Sequence, residues 1–203
     1  MSTVDLFHRR MGPEGATPVV VLHGLFGNSD NWGGIGRELA GPTDVGTAPL
    51  DVVLTDLRDH GRSPHTDATS YPLMAADVHA LVTKLGLKDI VLVGHSMGGK
   101  AAMAFAQQWP ELLRHLVVID IGPRQHDNNQ QHIVQALTTA ELAPGVGRKE
   151  VEAHIAKHVK EPGVIGFLMK NLYWQEEGRL AWRINIPLLA GSMDAILAAI
   201  GPG

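Results

Sequence analysis

One short turn constrains this chain more than any other feature: Val91-Leu92-Val93-Gly94-His95-Ser96-Met97-Gly98-Gly99. Ile90 to Val93 is a β-branched and aliphatic run that predicts a strand buried on both faces. Lys100-Ala101-Ala102-Met103-Ala104-Phe105-Ala106 is rich in good helix formers and predicts a helix. Gly94-His95-Ser96-Met97-Gly98 lies between them and matches glycine-x-serine-x-glycine. A turn that sharp forces the serine into a strained backbone conformation, and glycines two residues to either side leave room for it. The Ser96 hydroxyl then stands exposed above the sheet, and the helix presents its positive end to developing negative charge. Ser96 is therefore the first candidate nucleophile.

Bulk properties narrow the setting. At 203 residues the chain is long enough for one domain with a real core and short for two. A formal charge of −4 argues against nucleic acid as the main partner. There is no cysteine, which excludes disulfides and thiolate chemistry. Met1 to Arg10 carries Asp5, Arg9 and Arg10 without an apolar core, so it does not read as a signal peptide. The most apolar stretch, Ile186 to Ile200, is interrupted by Asp194, so no membrane insertion is expected. A cytoplasmic enzyme is the default expectation.

Read in order, the chain alternates strand and helix. Val4 to Arg10 predicts a first strand and Gly12-Pro13-Glu14-Gly15 a turn. Val19 to Leu22 predicts a buried strand that ends in the loop His23-Gly24-Leu25-Phe26-Gly27-Asn28. Asp30 or Asn31 would cap a helix running through Leu39 and Ala40. Asp51 to Thr55 predicts a third strand, and apolar residues at 74, 78, 81, 82 and 85 predict a helix from about Leu73 to Leu85. The helix after the Ser96 turn should stop near Gln108, before Pro110. Leu116 to Ile119 predicts another strand, with Asp120 at its carboxyl end. From Ile133 to Trp182 the spacing predicts two or three amphipathic helices with no strand between them. This pattern predicts a doubly wound, mostly parallel α/β sheet in a single domain, residues 1–203. Residues 124–186 would form a helical cap over the sheet's carboxyl edge.

Four ordered motifs carry a resemblance. They are His23-Gly24-Leu25-Phe26-Gly27-Asn28; Asp56-Leu57-Arg58-Asp59-His60-Gly61-Arg62-Ser63-Pro64; Gly94 to Lys100; and Val118-Ile119-Asp120-Ile121-Gly122-Pro123. Through them the chain resembles the α/β-hydrolase-fold serine esterases. It is most similar to small bacterial carboxylesterases and acyl-thioesterases of the abhydrolase-domain group. The resemblance implies Ser96 as the nucleophile of an acyl-enzyme and Asp120 as the acid of a triad. It implies an oxyanion hole from the backbone N–H groups of Leu25 and Met97. Phe26, His95, Phe167 and Trp174 are the candidates to line the substrate pocket, half-exposed cap packing being the commoner alternative for Phe167 and Trp174. The implied substrate is a small acyl ester or thioester, with no cofactor and no metal.

The same fold orders its triad as Ser, then Asp or Glu, then His. The histidine belongs on a loop after two further strand–helix units, and after Leu188 the sequence supplies neither. The chain therefore reads as truncated by roughly a fifth to a quarter against the ~250 residues of a larger single α/β domain. His23 and His60 read as loop-ordering residues and His95 as a packing residue, while His126 and His132 follow Asp120 on the cap. A base must come within about 3 Å of the serine hydroxyl, and none of these is expected to. Activity is thus expected to be impaired, the alternative being a non-catalytic fragment or pseudoenzyme. Cofactor-free haloperoxidases and C–C bond hydrolases share the serine.

Three further expectations follow. Arg58, Asp59 and Arg62 should form a loop cluster of ion pairs and hydrogen bonds. His154 and His158 lie four apart on a helix, and without a third ligand they read as a solvated face. The strand ending at Asp120 should be an unprotected sheet edge, and the tail Ile186 to Ile200 should lack a surface to pack on. Marginal stability or self-association is the expected consequence.

Overall fold

The computed structural model describes residues 2–42, 46 and 48–201. Its main sheet has five strands in the order β1-β3-β2-β4-β5: β1 is His8–Met11, β2 Pro18–Leu22, β3 Asp51–Thr55, β4 Ile90–His95 and β5 Leu113–Ile119. β1 runs antiparallel to β3 and every other pairing is parallel. This is the doubly wound, mostly parallel α/β sheet that the alternation predicts. The register places Val20 beside Val53 and Leu92, so every second residue faces the same side. That side carries the larger core, against α2 (Tyr71–Lys84) and α3 (Met97–Gln108). The other side packs Val19, Val21, Val52 and Leu54 beneath α1 (Gly33–Ala40).

Local signals explain most of the boundaries. The Ser70 hydroxyl accepts the Leu73 N–H at 3.4 Å, and Pro72 occupies the first turn of α2, where no N–H is needed. α3 ends at Gln108 before Pro110. β1 begins later than the predicted Val4, because the Val4 N–H is taken by Asp77 Oδ1 at 2.9 Å and Leu6 turns into the core.

Past β5 the chain forms α4 (Gln131–Thr138), α5 (Arg148–His158) and α6 (Pro162–Met169). The expectation of helices alone fails next: Leu172–Glu176 (β6) and Arg179–Trp182 (β7) pair as an antiparallel hairpin. Gly178 turns it with φ 73°, and Tyr173, Trp174 and Trp182 are aromatic residues suited to a pleated surface. The tail also departs from expectation. α7 (Ile186–Gly191) and α8 (Met193–Leu197) bury Ile186, Leu189, Met193 and Ile196 in the main core, so these apolar residues do have a surface to pack on.

Two asparagines tie this second half to the loops at the carboxyl ends of the strands. Asn171 Nδ2 donates to Phe26 O at 2.7 Å, and Asn28 Nδ2 donates to Asn171 Oδ1 at 3.2 Å. Asn185 Nδ2 donates to Asp59 Oδ1 at 3.0 Å. β5 remains an edge strand whose Leu116, Val117 and Ile119 are exposed. Among the described residues no helix is long and apolar enough to cross a membrane.

Candidate active site

Ser96 sits between β4 and α3 with φ 50° and ψ −117°, a conformation that L-residues rarely hold. The turn is pinned from three sides. Ser96 N–H donates to Ile119 O at 3.0 Å, and Ser96 O accepts from Gly99 and Lys100 at 2.8 and 3.2 Å. The flanking glycines are needed for close approach. A Cβ on Gly94 would stand 2.3 Å from Gly98 O, and one on Gly98 would stand 2.5 Å from His23 O. Strand, helix and the loop after β2 therefore meet backbone to backbone at this point, and the serine is carried on the corner they make.

A cavity of about 500 Å³ opens beside Ser96, within the usual range for small-molecule sites. Its walls include Leu25, Trp32, Ile35, His95, Asp120 and Phe167. A second cavity of about 490 Å³ also touches Ser96 and is polar, with Arg124, His126, Asp127 and Gln130. Met97 is the first residue of α3, so its N–H has no carbonyl one turn back to bond. Leu25 and Met97 both border a small third space with Ser96. Sequence reasoning thus places Leu25, Met97, His95, Asp120 and Phe167 around Ser96.

Two pocket residues are elsewhere. Phe26 has φ 60°, which turns its side chain into the core, where it is buried and does not line the cavity. Its backbone is held by His60 Nε2, which accepts its N–H at 3.2 Å, and by Asn171. Trp174 lies on the β6–β7 hairpin and is exposed, because the segment is a surface ribbon and not the predicted helix. Trp32, Ile35 and Gln130 line the cavity and were not singled out by sequence. Trp32 is the last residue of the helical turn Ser29–Trp32, which Asn28 caps in place of the predicted Asp30 or Asn31.

Asp120 follows β5 with φ 57°, and its carboxylate is 86% exposed. Asp120 Oδ2 lies 4.0 Å from His95 Nε2, and the His95 ring meets Trp32 edge-on. His126 borders both the polar cavity and the small one, with Nε2 3.3 Å from Gly122 O. Among the described residues no histidine hydrogen-bonds the Ser96 hydroxyl.

The surrounding loops are held by buried polar groups. Arg58 pairs with Asp77 of α2 through Nε and Nη2 at 2.6 and 2.9 Å, and not with Asp59. Asp59 accepts from Thr66 N–H at 2.7 Å and from Asn185, while Arg62 stacks its guanidinium on Phe7. The expected three-residue cluster is therefore three separate anchors. Among the described residues no group of three or more His, Cys, Asp or Glu gathers to hold a metal.

A strained serine on a glycine-bracketed strand–helix corner, at the carboxyl end of a doubly wound sheet, defines an α/β-hydrolase type of site. The family described as "alpha/beta hydrolase fold" matches residues 17–160, and the chain belongs to it. Over 186 residues it is 38% identical to the sn-1-specific diacylglycerol lipase ABHD11 of Mus musculus, covering 88% of this chain and 58% of that protein. It is 33% identical to esterase YbfF of Escherichia coli over 174 residues, covering 85% of this chain and 64% of that one. The chain thus spans a little over half the length of the ABHD11 relatives. A solved structure titled "Marine microorganism esterase" superimposes with TM-score 0.91 at 34% identity, covering 98% of this chain and 76% of that chain.

Proposed function

We propose that Ser96 is the nucleophile of a hydrolase acting on small carboxylic esters or thioesters, through an acyl-enzyme. The observation that carries this reading is Ser96's strained backbone at the mouth of a cavity walled by Leu25, Trp32, Ile35 and Phe167. In the proposed step the Ser96 oxygen attacks the acyl carbon while its proton passes to solvent water. The carbonyl oxygen takes up the negative charge opposite the N–H groups of Leu25 and Met97, and the alcohol or thiol then leaves. A second water then releases the acyl group from Ser96 as the acid. The acyl chain occupies the apolar side of the cavity. Asp120 is assigned the acid role because it closes β5 beside Ser96 and touches the same cavity. Named esterase and lipase relatives support the ester class, and Ser96 counts against chemistry that needs an aspartate nucleophile.

The described residues supply no imidazole to Ser96, so we propose that turnover by this chain is impaired. Losing one triad member leaves roughly a thousand- to ten-thousandfold acceleration over water from the rest of the site. A non-catalytic reading is favoured by one observation, the exposed Asp120 carboxylate. We further propose a cytoplasmic location and self-association through β5. Labelling with a fluorophosphonate separates the two functional readings. Covalent labelling of the wild type that Ser96→Ala abolishes supports the nucleophile; a folded wild type that does not label overturns it.

A further inference from the structure

Lys100 lies one helical turn after Ser96, and its side chain is buried. Nζ donates to Leu197 O at 3.1 Å and to Ala198 O at 2.5 Å, and it sits 5.8 Å from the centre of the Tyr71 ring. The Tyr71 hydroxyl donates to the carbonyl of Ile196. Nearby, the His126 N–H donates to Leu197 O at 3.0 Å and the Ile200 N–H to Pro123 O at 2.7 Å. Three consecutive carbonyls at the end of α8 are thus taken by groups from α2, α3 and the segment after β5. A helix end leaves such carbonyls without partners and gathers partial negative charge, so an ammonium is well placed there.

The end of α8 is also a wall of the site. Ile196 and Leu197 line, with Ser96, Leu25, Tyr71 and Lys100, a space of about 40 Å³, room for roughly one water. Leu197 borders the polar cavity as well. Burial pushes the Lys100 amine down from its ordinary value, which shows that holding a cation here has a cost. A methionine of similar length would fill the volume without that cost, so packing alone does not account for the lysine.

We propose that Lys100 is a positioning residue: with Tyr71 it latches the end of α8 to the nucleophile helix and fixes the wall that limits how bulky a group Ser96 accepts. The latch stands on hydrogen bonds alone, whereas the limit on bulk rests on Ser96 being the nucleophile. The full chain is compared with Lys100→Met, Lys100→Arg and Leu197→Ala by two readouts. The first is amide hydrogen exchange. Lys100→Met should speed exchange at His126 and Ile200 by about fivefold, the worth of one net hydrogen bond. The Gly99 amide should be unchanged, and Lys100→Arg should restore protection. Unchanged exchange at His126 and Ile200 overturns the latch.

The second readout is the ratio of labelling rates for a bulky and a compact fluorophosphonate. Lys100→Met should raise this ratio by about fivefold, on the same hydrogen-bond scale, and Leu197→Ala should raise it too, by removing side-chain bulk from the wall. A loss of general stability scales both rates together, and that result overturns the limit on bulk. Should Lys100→Met not fold, Tyr71→Phe removes the bond to Ile196 and carries the same two expectations. An unlabelled, folded wild type overturns the nucleophile reading and the limit on bulk with it, and exchange still decides the latch.

Discussion

His23 and His60 cross-brace the two loops beneath the candidate site, each accepting an N–H from the other's loop. His23 Nε2 accepts from Leu57 at 3.0 Å and His60 Nε2 from Phe26 at 3.2 Å, with ring centres 5.0 Å apart. Each ring places its proton on Nδ1, donating to Gly24 O and Arg58 O at 2.8 and 2.9 Å. Both rings are therefore neutral, and both nitrogens of each are used. The oxyanion candidate Leu25 lies in the loop so braced.

This arrangement makes the fold acid-sensitive. Burial lowers His23 to about 4 and His60 to about 3, from an ordinary 6.5. As pH falls below about 6.5 the unfolded chain takes up these protons first, so stability is lost from there down towards the folded values. The loss reaches up to about 1.4 kcal/mol per pH unit for each ring. Urea midpoints at a series of pH values between neutrality and pH 5 should fall accordingly, and His60→Gln should remove about half of the slope. A midpoint independent of pH in the wild type would contradict the neutral, buried assignment.

Ser96 carries backbone strain that a smaller residue relieves. Its φ of 50° costs on the order of 1–3 kcal/mol, while glycine loses up to about 1 kcal/mol through unfolded-chain entropy. Ser96→Gly should therefore raise unfolding stability by about 1 kcal/mol. Ser96→Ala keeps the strain and should stay within about 0.5 kcal/mol. Both should abolish fluorophosphonate labelling. Equal stability of the two variants would remove the argument that strain is stored at this corner.

The Arg58–Asp77 pair is buried on both sides, so breaking it leaves an uncompensated charge. Asp77→Asn should cost about 3–5 kcal/mol, because Arg58 keeps its charge and loses its bidentate partner. Arg114→Gln disrupts an exposed pair with Asp89 and should cost less than about 1 kcal/mol. Chemical denaturation of the two variants side by side tests the contrast, and similar losses would refute it.

Much of this was legible because the signals are local. The apolar runs that became β2, β3 and β4 and the glycines around Ser96 are readable from spacing alone. The hairpin Leu172–Trp182 was missed because its neighbours are helical and only Gly178 marks the turn. Phe26 was misplaced because its positive φ, which reverses its side chain, leaves no mark in composition. Lys100 reads as an ordinary helix former, and its carbonyl partners lie 97 and 98 residues away. Asn171 joins Phe26 across 145 residues for the same reason. Long-range polar contacts depend on topology, which no window of sequence holds.

The edge strand β5 gives the last expectation. It pairs with β4 on one side only, and among the described residues no strand pairs with its other edge. Leu116, Val117 and Ile119 are 39%, 41% and 36% exposed, Val117 and Ile119 on one face and Leu116 on the other, along a strand with one unpaired edge. Such an edge is a template for pairing with another chain, and lysine is a common means by which edges are blunted. Val117→Lys should leave unfolding stability within about 0.5 kcal/mol, since the position is already solvated. The same change should shift sedimentation velocity profiles at high concentration from associated species towards monomer. Wild-type protein that sediments as a monomer throughout would show that the exposed edge does not drive association, and the proposal of self-association through β5 would fail with it.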